Sequence, residues 1–319
     1  QMQDVVPQEI RFQEKLLPIQ EAIKNLHFPS SLEIAKAAKK QLAFEELLII
    51  QLMVLKSRKE IKSQKAPPIQ TDIELTKKFV SQLPFKLTNA QRKSAWQILK
   101  DMENPNPMNR LLNGDVGSGK TIVAAIAALN ASCDDKQVAY LAPTEILTNQ
   151  HFQTFCKFLQ SFNLTIALAT GSENKIFDSE LCDSYEVKKP ELLKRINNGQ
   201  INIVIGTHAI IQDGVKFSNL GLVIIDEQHR FGVAQRATLL KNNENVPDSK
   251  FQIPHLLSMT ATPIPRTLML TVYGDLDISI INEMPKNRKK IITQIVPTKD
   301  RKKSYDFIRQ EIKNGRQAF

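Results

Sequence analysis

The chain has 319 residues, with 43 Lys+Arg against 33 Asp+Glu and a formal net charge of +10. That length allows two or three domains and a sizeable core, and the basic balance points to a polyanionic partner, usually nucleic acid, although the charge is spread along the chain and marks no one surface. Cys133, Cys156 and Cys182 lie far apart without C-x-x-C spacing, which argues against a zinc site or a disulfide framework; with no apolar run of the ~18–20 residues a membrane span needs and no signal peptide at the start, a soluble cytoplasmic protein is expected.

Residues 1–83 contain no glycine and read as a helical segment. Ser30 and Glu33, after Pro29, form a capping-box pattern. From there one long helix is predicted to run to about Ile61 through Ala35, Ala38, Leu42, Leu48, Leu52 and Leu55. Its apolar stripe calls for a partner surface, and packing is the preferred role. Lys56, Arg58, Lys59, Lys62 and Lys65 give it a basic end that reads as a solvated face at least as readily as a DNA contact. Ala66-Pro67-Pro68 ends the helix and marks a connector.

Residues 84–285 alternate strand and helix. Strands are predicted around residues 110–113, 137–142, 164–169, 201–205, 220–226 and 255–259. This βαβα order implies a mostly parallel sheet with helices on both faces. Gly114-Asp115-Val116-Gly117-Ser118-Gly119-Lys120-Thr121 matches the phosphate-binding pattern G-x-x-x-x-G-K-[ST] at every position. Apolar Leu111-Leu112 leads in, and a strong helix former, Ile122 to Leu129, leads out. A strand, a glycine turn and a helix N-terminus aim backbone N–H groups at an anion. Lys120 would reach the β- and γ-phosphates of a nucleotide, and the Thr121 hydroxyl would bind Mg²⁺. The segment is therefore expected to be a RecA-like, P-loop nucleotide-binding α/β lobe.

A second motif reinforces the first. Leu222-Val223-Ile224-Ile225 reads as a strand buried on both faces, and Asp226-Glu227-Gln228-His229 follows at its carboxyl end. Asp226 would hold the Mg²⁺, and Glu227 would act as general base on the attacking water. Thr260-Ala261-Thr262-Pro263 follows the strand Leu256-Leu257-Ser258-Met259, so its hydroxyls could bond to Asp226, Glu227 or His229 and report the nucleotide state. Pro143-Thr144-Glu145 and Gly206-Thr207-His208 also sit at strand ends, where backbone N–H groups and hydroxyls suit nucleic-acid phosphates. Gln91, after Leu87-Thr88, carries an amide able to read an adenine edge, or is an ordinary helix residue. Residues 286–319 open on Lys286, Arg288, Lys289 and Lys290; a strand over Ile291 to Val296 and a helix over Arg301 to Lys313 are predicted.

Together these pieces resemble a superfamily 2 helicase, with Gln91 and five further motifs in the expected order. The words around them narrow the resemblance to the RecG family of bacterial branch-migration helicases. These are Asp226 to Gly232 with Gln235-Arg236, Thr260 to Leu268, Leu42 to Leu48, and Gly274-Asp275-Leu276-Asp277. The resemblance runs from about residue 25 to the end. It implies an ATP- and Mg²⁺-dependent, DNA-driven motor reduced here to its first lobe: residues 1–83 trail a wedge region, 84–285 form the lobe, and 286–319 begin a second lobe. It implies branched or duplex DNA as partner, stalled forks and Holliday junctions as substrates, action as a monomer, and weak hydrolysis by the chain alone for want of a second-lobe arginine. It assigns Gln91 to adenine, Pro143, Thr144, Thr207 and His208 to DNA, and His229, Thr260 and Thr262 to coupling. Residues 171–189 depart from the family and are expected to form a surface loop. A transcription-repair coupling factor resembles the same motor, but Gln228 and the helix through Leu42 and Leu48 disfavour it.

Overall fold

A computed structural model describes residues 3–179, 181–207, 215–227, 253–262, 276–283 and 292–318. The first 83 residues are helical, as their composition suggests: α1 (Gln8–Gln13), α2 (Ile19–His27), α3 (Leu32–Lys62) and α4 (Ile73–Gln82). The start of α3 differs by one residue from the capping-box reading. Ser31, in extended backbone, is the cap, and its Oγ accepts from the Ile34 N–H at 3.2 Å. With the cap at Ser31 the third helical position is Ile34, so Glu33 cannot close a reciprocal box. Buried Ala38 and Gln41 mark the packed side of α3, while Leu47, Leu52, Met53 and Leu55 stay exposed. Of its basic residues, Arg58 pairs with Asp277, whereas Lys56, Lys59 and Lys62 are solvated.

The connector after α3 is bound to the sheet it precedes. Ile253 N–H donates to the Lys65 carbonyl at 2.8 Å, and the buried ring of His255 spans connector and sheet. Its Nε2–H donates to the Pro67 carbonyl at 2.9 Å, and its Nδ1 accepts from the Met108 N–H at 3.0 Å. Helix α4 then joins the main core. Phe79 is 1% exposed within the same apolar cluster as Ile126 and Leu129, and Asn130 accepts from the Asp72 N–H at 3.0 Å.

The core is a nine-stranded sheet among the described residues, in the order β5-β4-β3-β6-β2-β7-β8-β1-β9. The strands are β1 (Asn109–Gly114), β2 (Gln137–Leu141), β3 (Thr165–Ala169), β4 (Asn174–Asp178), β5 (Asp183–Glu186), β6 (Ile203–Gly206), β7 (Leu220–Ile225), β8 (His255–Thr260) and β9 (Asp277–Ile281). From β3 to β9 across the sheet, every neighbouring pair is parallel. The continuous apolar runs are explained by burial on both faces. Tyr140, Ile205 and Ile224 join one cluster with α5 (Asn89–Met102) and α6 (Lys120–Cys133), whereas Leu141, Val204 and Ile225 join another with Leu192 and Ile196 of α8 (Lys189–Asn197).

Two sequence expectations change. The 171–189 segment is more than a surface loop: β4 pairs antiparallel with β3, and β5 with β4, so it widens the sheet at one edge. Cys182 sits between the two strands at φ +50°, in the left-handed region a tight reversal requires. In residues 285–319, which form a separate unit, α9 (Arg301–Lys313) matches its predicted bounds. Residues 292–297, however, carry no strand, because no neighbouring strand pairs with them among the described residues.

Burial lowers the His255 pKa to about 4, with the hydrogen bond to the Pro67 carbonyl opposing the shift. The unfolded chain protonates near 6.5, so this contribution is complete above that pH and is lost as pH falls towards 4. We expect acid to remove roughly 3 kcal/mol of stability over this window, and His255→Gln to flatten that part of the profile in pH-dependent thermal unfolding.

Candidate active site

The turn after β1 is shaped by where a side chain cannot go. A Cβ on Gly114 would lie 2.6 Å from Ser118 Oγ, and one on Gly119 would lie 2.3 Å from Gln91 Nε2. Gly117 and Gly119 have φ of +78° and +89°, a region closed to most side chains. Ser118 N–H donates to the Asp115 carbonyl at 3.0 Å and closes the turn. Helix α6 starts at Lys120 with no side-chain cap, so its first N–H groups face the loop and suit an anion. Its residues from Ile122 to Ser132 are all buried, which anchors that N-terminus against the sheet.

Lys120 lies across the loop, its Nζ donating to the carbonyls of Gly114 at 2.7 Å and Asp115 at 3.1 Å. Burial lowers its pKa, while the fields of Asp226, Glu227 and Asp115 oppose that shift. The three carboxylates thus act on the same ammonium, and the acidic pair and the phosphate loop share one site. The cradle fits a nucleotide's phosphates: glycines where a Cβ would intrude, an uncapped helix start and a lysine. Thr121, in the first turn of α6, and Asp226, after β7, carry oxygens that could serve a divalent cation there.

Asp226 is 8% exposed and firmly held. Its N–H donates to the Leu141 carbonyl at 2.8 Å, and its Oδ1 accepts from the Glu227 N–H at 3.1 Å. Its Oδ2 lies 2.9 Å from His151 Nε2, on α7 (Glu145–Leu159), and His151 Nδ1 lies 3.2 Å from the Tyr140 hydroxyl. Burial raises the Tyr140 pKa well above the usual phenol value, with Asp226 adding to it, so the hydroxyl stays a donor. Glu227 has φ +54°, a conformation that costs a non-glycine residue about 1–3 kcal/mol and tends to be kept at functional sites.

Sequence reading missed Tyr140 and His151. The available signal was the inward stripe of α7, Thr148, His151, Phe152, Phe155 and Leu159, in which His151 is the one titratable residue. Two further sets of expected site residues have partners within the fold. Thr260 and Thr262 bond to each other, Oγ1 to Oγ1 at 2.8 Å, and Asn113 Nδ2 donates to the Thr262 carbonyl at 3.1 Å. In this structure they join β8 to β1 and do not bond to Asp226. Gln91 is 2% exposed: Oε1 accepts from the Thr88 N–H at 2.8 Å, and Nε2 donates to the Ser118 carbonyl at 2.7 Å. The first bond is half of a Thr88–Gln91 capping box, a T-x-x-Q pattern legible in the sequence. The second ties α5 to the phosphate loop.

A second group of loops leaves the neighbouring strands β3, β6 and β2. Ala142 N–H donates to the Gly206 carbonyl at 2.9 Å, holding the ends of β2 and β6 together, so Pro143, Thr144 and Thr207 lie along one edge. Thr144 is exposed but uses its Oγ1 to cap α7, accepting from the Leu147 N–H at 3.3 Å. The carboxylate of Glu145 accepts from both the N–H and the hydroxyl of Ser172, at 3.2 and 2.7 Å, and so attaches the turn after β3 to the same edge. His208 and His229 lie outside the described residues.

A glycine-lined phosphate loop and an acidic pair on one edge of a largely parallel sheet define a P-loop α/β lobe. Residues 88–271 match the model of the DEAD/DEAH box helicases, and the chain belongs to that family. Along its whole length it is similar to ATP-dependent DNA helicases RecG. It is 44% identical to the one from Synechocystis sp., spanning 100% of this chain and 36% of the relative, and 42% identical to the one from Thermotoga maritima, spanning 100% and 38%. A solved structure of RecG bound to a three-way DNA junction superposes with a TM-score of 0.83 at 39% identity, over 99% of this chain and 40% of that one. The chain thus spans well under half the length of these relatives.

Gly119→Ala combines a forbidden contact with a positive φ. It should cost about 1–3 kcal/mol in denaturant unfolding. In a Gln91→Ala background, which removes the clashing amide, the cost should fall but not vanish.

Proposed function

We propose that the chain is the nucleotide-binding motor lobe of an ATP-dependent DNA helicase of the RecG type, remodelling branched DNA such as stalled forks and Holliday junctions in recombination and repair. The observation that carries this reading is the convergence at Lys120. The phosphate loop, Asp226 and Glu227 meet there, at the carboxyl ends of β1 and β7, with the Thr260–Thr262 turn of β8 between them. The junction-bound RecG structure and the RecG relatives support DNA as the partner.

In this reading the loop from Gly114 to Thr121, with Asp115, Val116 and Ser118 contributing backbone, wraps the phosphates of ATP. Lys120 leaves its two carbonyls for the β- and γ-phosphates. Thr121 and Asp226 would hold Mg²⁺, which would supply positive charge to offset that developing on the transferring phosphoryl group. Glu227, fixed in its strained conformation beside Asp226, orients and deprotonates the attacking water. Gln91, bonded to the Ser118 carbonyl, ties α5 to the phosphate loop and is assigned to the adenine base in this reading. Thr260, Thr262 and His229 relay the state of the site to the rest of the motor. Pro143, Thr144, Thr207 and His208 meet DNA phosphates, so binding is salt-sensitive and nearly sequence-independent. The enzyme acts as a monomer in the bacterial cytoplasm.

The test is nucleotide binding and ATP turnover with no DNA, linear duplex and a three-way junction. Mg²⁺-dependent ATP binding should be lost in Lys120→Ala. Glu227→Gln should keep binding and lower turnover by at least about 10²-fold. Turnover by the chain alone should stay low with each DNA, and DNA binding should weaken steeply with salt. Nucleotide binding that survives Lys120→Ala would overturn the assignment.

A further inference from the structure

We propose that His151 is a positioning residue for the metal-binding carboxylate, with Tyr140 fixing its ring; this rests on the assignment of Asp226 to Mg²⁺ made above. Both oxygens of Asp226 already have a protein partner. Oδ1 accepts from the Glu227 N–H, a contact between adjacent residues that swivels with the backbone. Oδ2 meets His151 Nε2 at 2.9 Å, a contact reaching across 75 residues from a different element. The second contact therefore sets the carboxylate's rotation relative to the sheet.

The chemistry of the three groups orders the chain. An ionised carboxylate only accepts, so the hydrogen facing Asp226 belongs to Nε2. In the neutral ring Nδ1 is then an acceptor, and the Tyr140 hydroxyl donates to it at 3.2 Å. Tyr140 cannot drift: it is fully buried near the carboxyl end of β2, with its ring centroid 4.8 Å from that of His151 and 5.2 Å from that of Phe155. His151 is 9% exposed and occupies the inward stripe of α7. The chain runs from β2 through α7 to the end of β7, three elements whose positions the core already fixes. A carboxylate turned by such a partner presents its remaining lone pairs in one direction. Groups that orient a metal-binding carboxylate typically change metal affinity by about 10–100-fold when removed.

The substitutions separate orientation from packing. His151→Phe keeps an aromatic ring among Tyr140 and Phe155 but deletes both nitrogens. His151→Gln restores an N–H at the position of Nε2. Tyr140→Phe deletes one oxygen. The measurement is binding of a fluorescent ATP analogue to the full chain, in EDTA and across a Mg²⁺ titration, with thermal unfolding of each variant alongside.

His151→Phe should leave affinity in EDTA within about twofold of wild type and raise the Mg²⁺ concentration for half-maximal tightening by about 10–100-fold. His151→Gln should recover most of that shift, and Tyr140→Phe should move the midpoint in the same direction by less. A wild-type Mg²⁺ midpoint in His151→Phe overturns the proposal, as does equal impairment of His151→Phe and His151→Gln with and without Mg²⁺, which would mean packing alone. If His151→Phe does not fold, Tyr140→Phe decides: a shifted midpoint supports the proposal and an unshifted one overturns it. Failure of the underlying assignment looks different, because wild type itself would then show no Lys120-dependent, Mg²⁺-tightened binding.

Discussion

Parallel pairing of β1, β8 and β7 is the constraint on which the site depends. In a parallel sheet every strand delivers its carboxyl end to the same edge, so segments far apart in sequence are brought level. Asn113 pairs with Thr260, and Ile225 pairs with Ser258. The loops that follow these residues carry the glycine turn, the two threonines and the acidic pair. A slip of one residue along β8 would exchange its buried faces and move the threonine turn away from Asn113. Apolar residues on both faces make such a slip costly, so the register is set by the core and the site inherits it.

The same edge has two territories. β1 and β7 end in groups that act on Lys120, with β8 between them, while β2, β6 and β3 end in loops joined by the Ala142–Gly206 and Glu145–Ser172 contacts. Helix α7 belongs to both. It starts at the exposed Thr144 cap and carries His151, two turns on, to Asp226. Tyr140, His151, Asp226 and Gln91, all buried, each have a specific partner there, which offsets the cost of placing them in a low-dielectric interior. The left-handed backbone of Glu227 persists because its neighbours, Asp226 and the buried β7, are held by the sheet.

Outside the sheet, the connector that follows α3 is an integral part of the lobe. His255 joins Pro67 to Met108 with no polar group left over, and Arg58 reaches Asp277 on the outer strand β9. The long helix is thereby attached at its carboxyl end, while Leu52, Met53 and Leu55 remain exposed along it.

The sequence by itself determined the local units and their chemistry. The glycine loop, the apolar strand ending in Asp226-Glu227, the six predicted strands and the helix over Arg301–Lys313 all follow from short-range patterns: glycine where φ is positive, apolar runs where both faces are covered, and helical spacing. Those patterns depend on neighbours within a few residues, which a sequence displays directly. Tertiary structure decided whatever depends on distant partners. It chose Ser31 over Ser30 as a cap, turned the 171–189 segment into two edge strands, and directed Thr260 and Thr262 to Asn113. It also gave the Gln91 amide to the phosphate loop and placed His151 against Asp226. Each is a competition among hydrogen-bond partners, and only the folded chain fixes which donor and which acceptor come within 3 Å or so of one another.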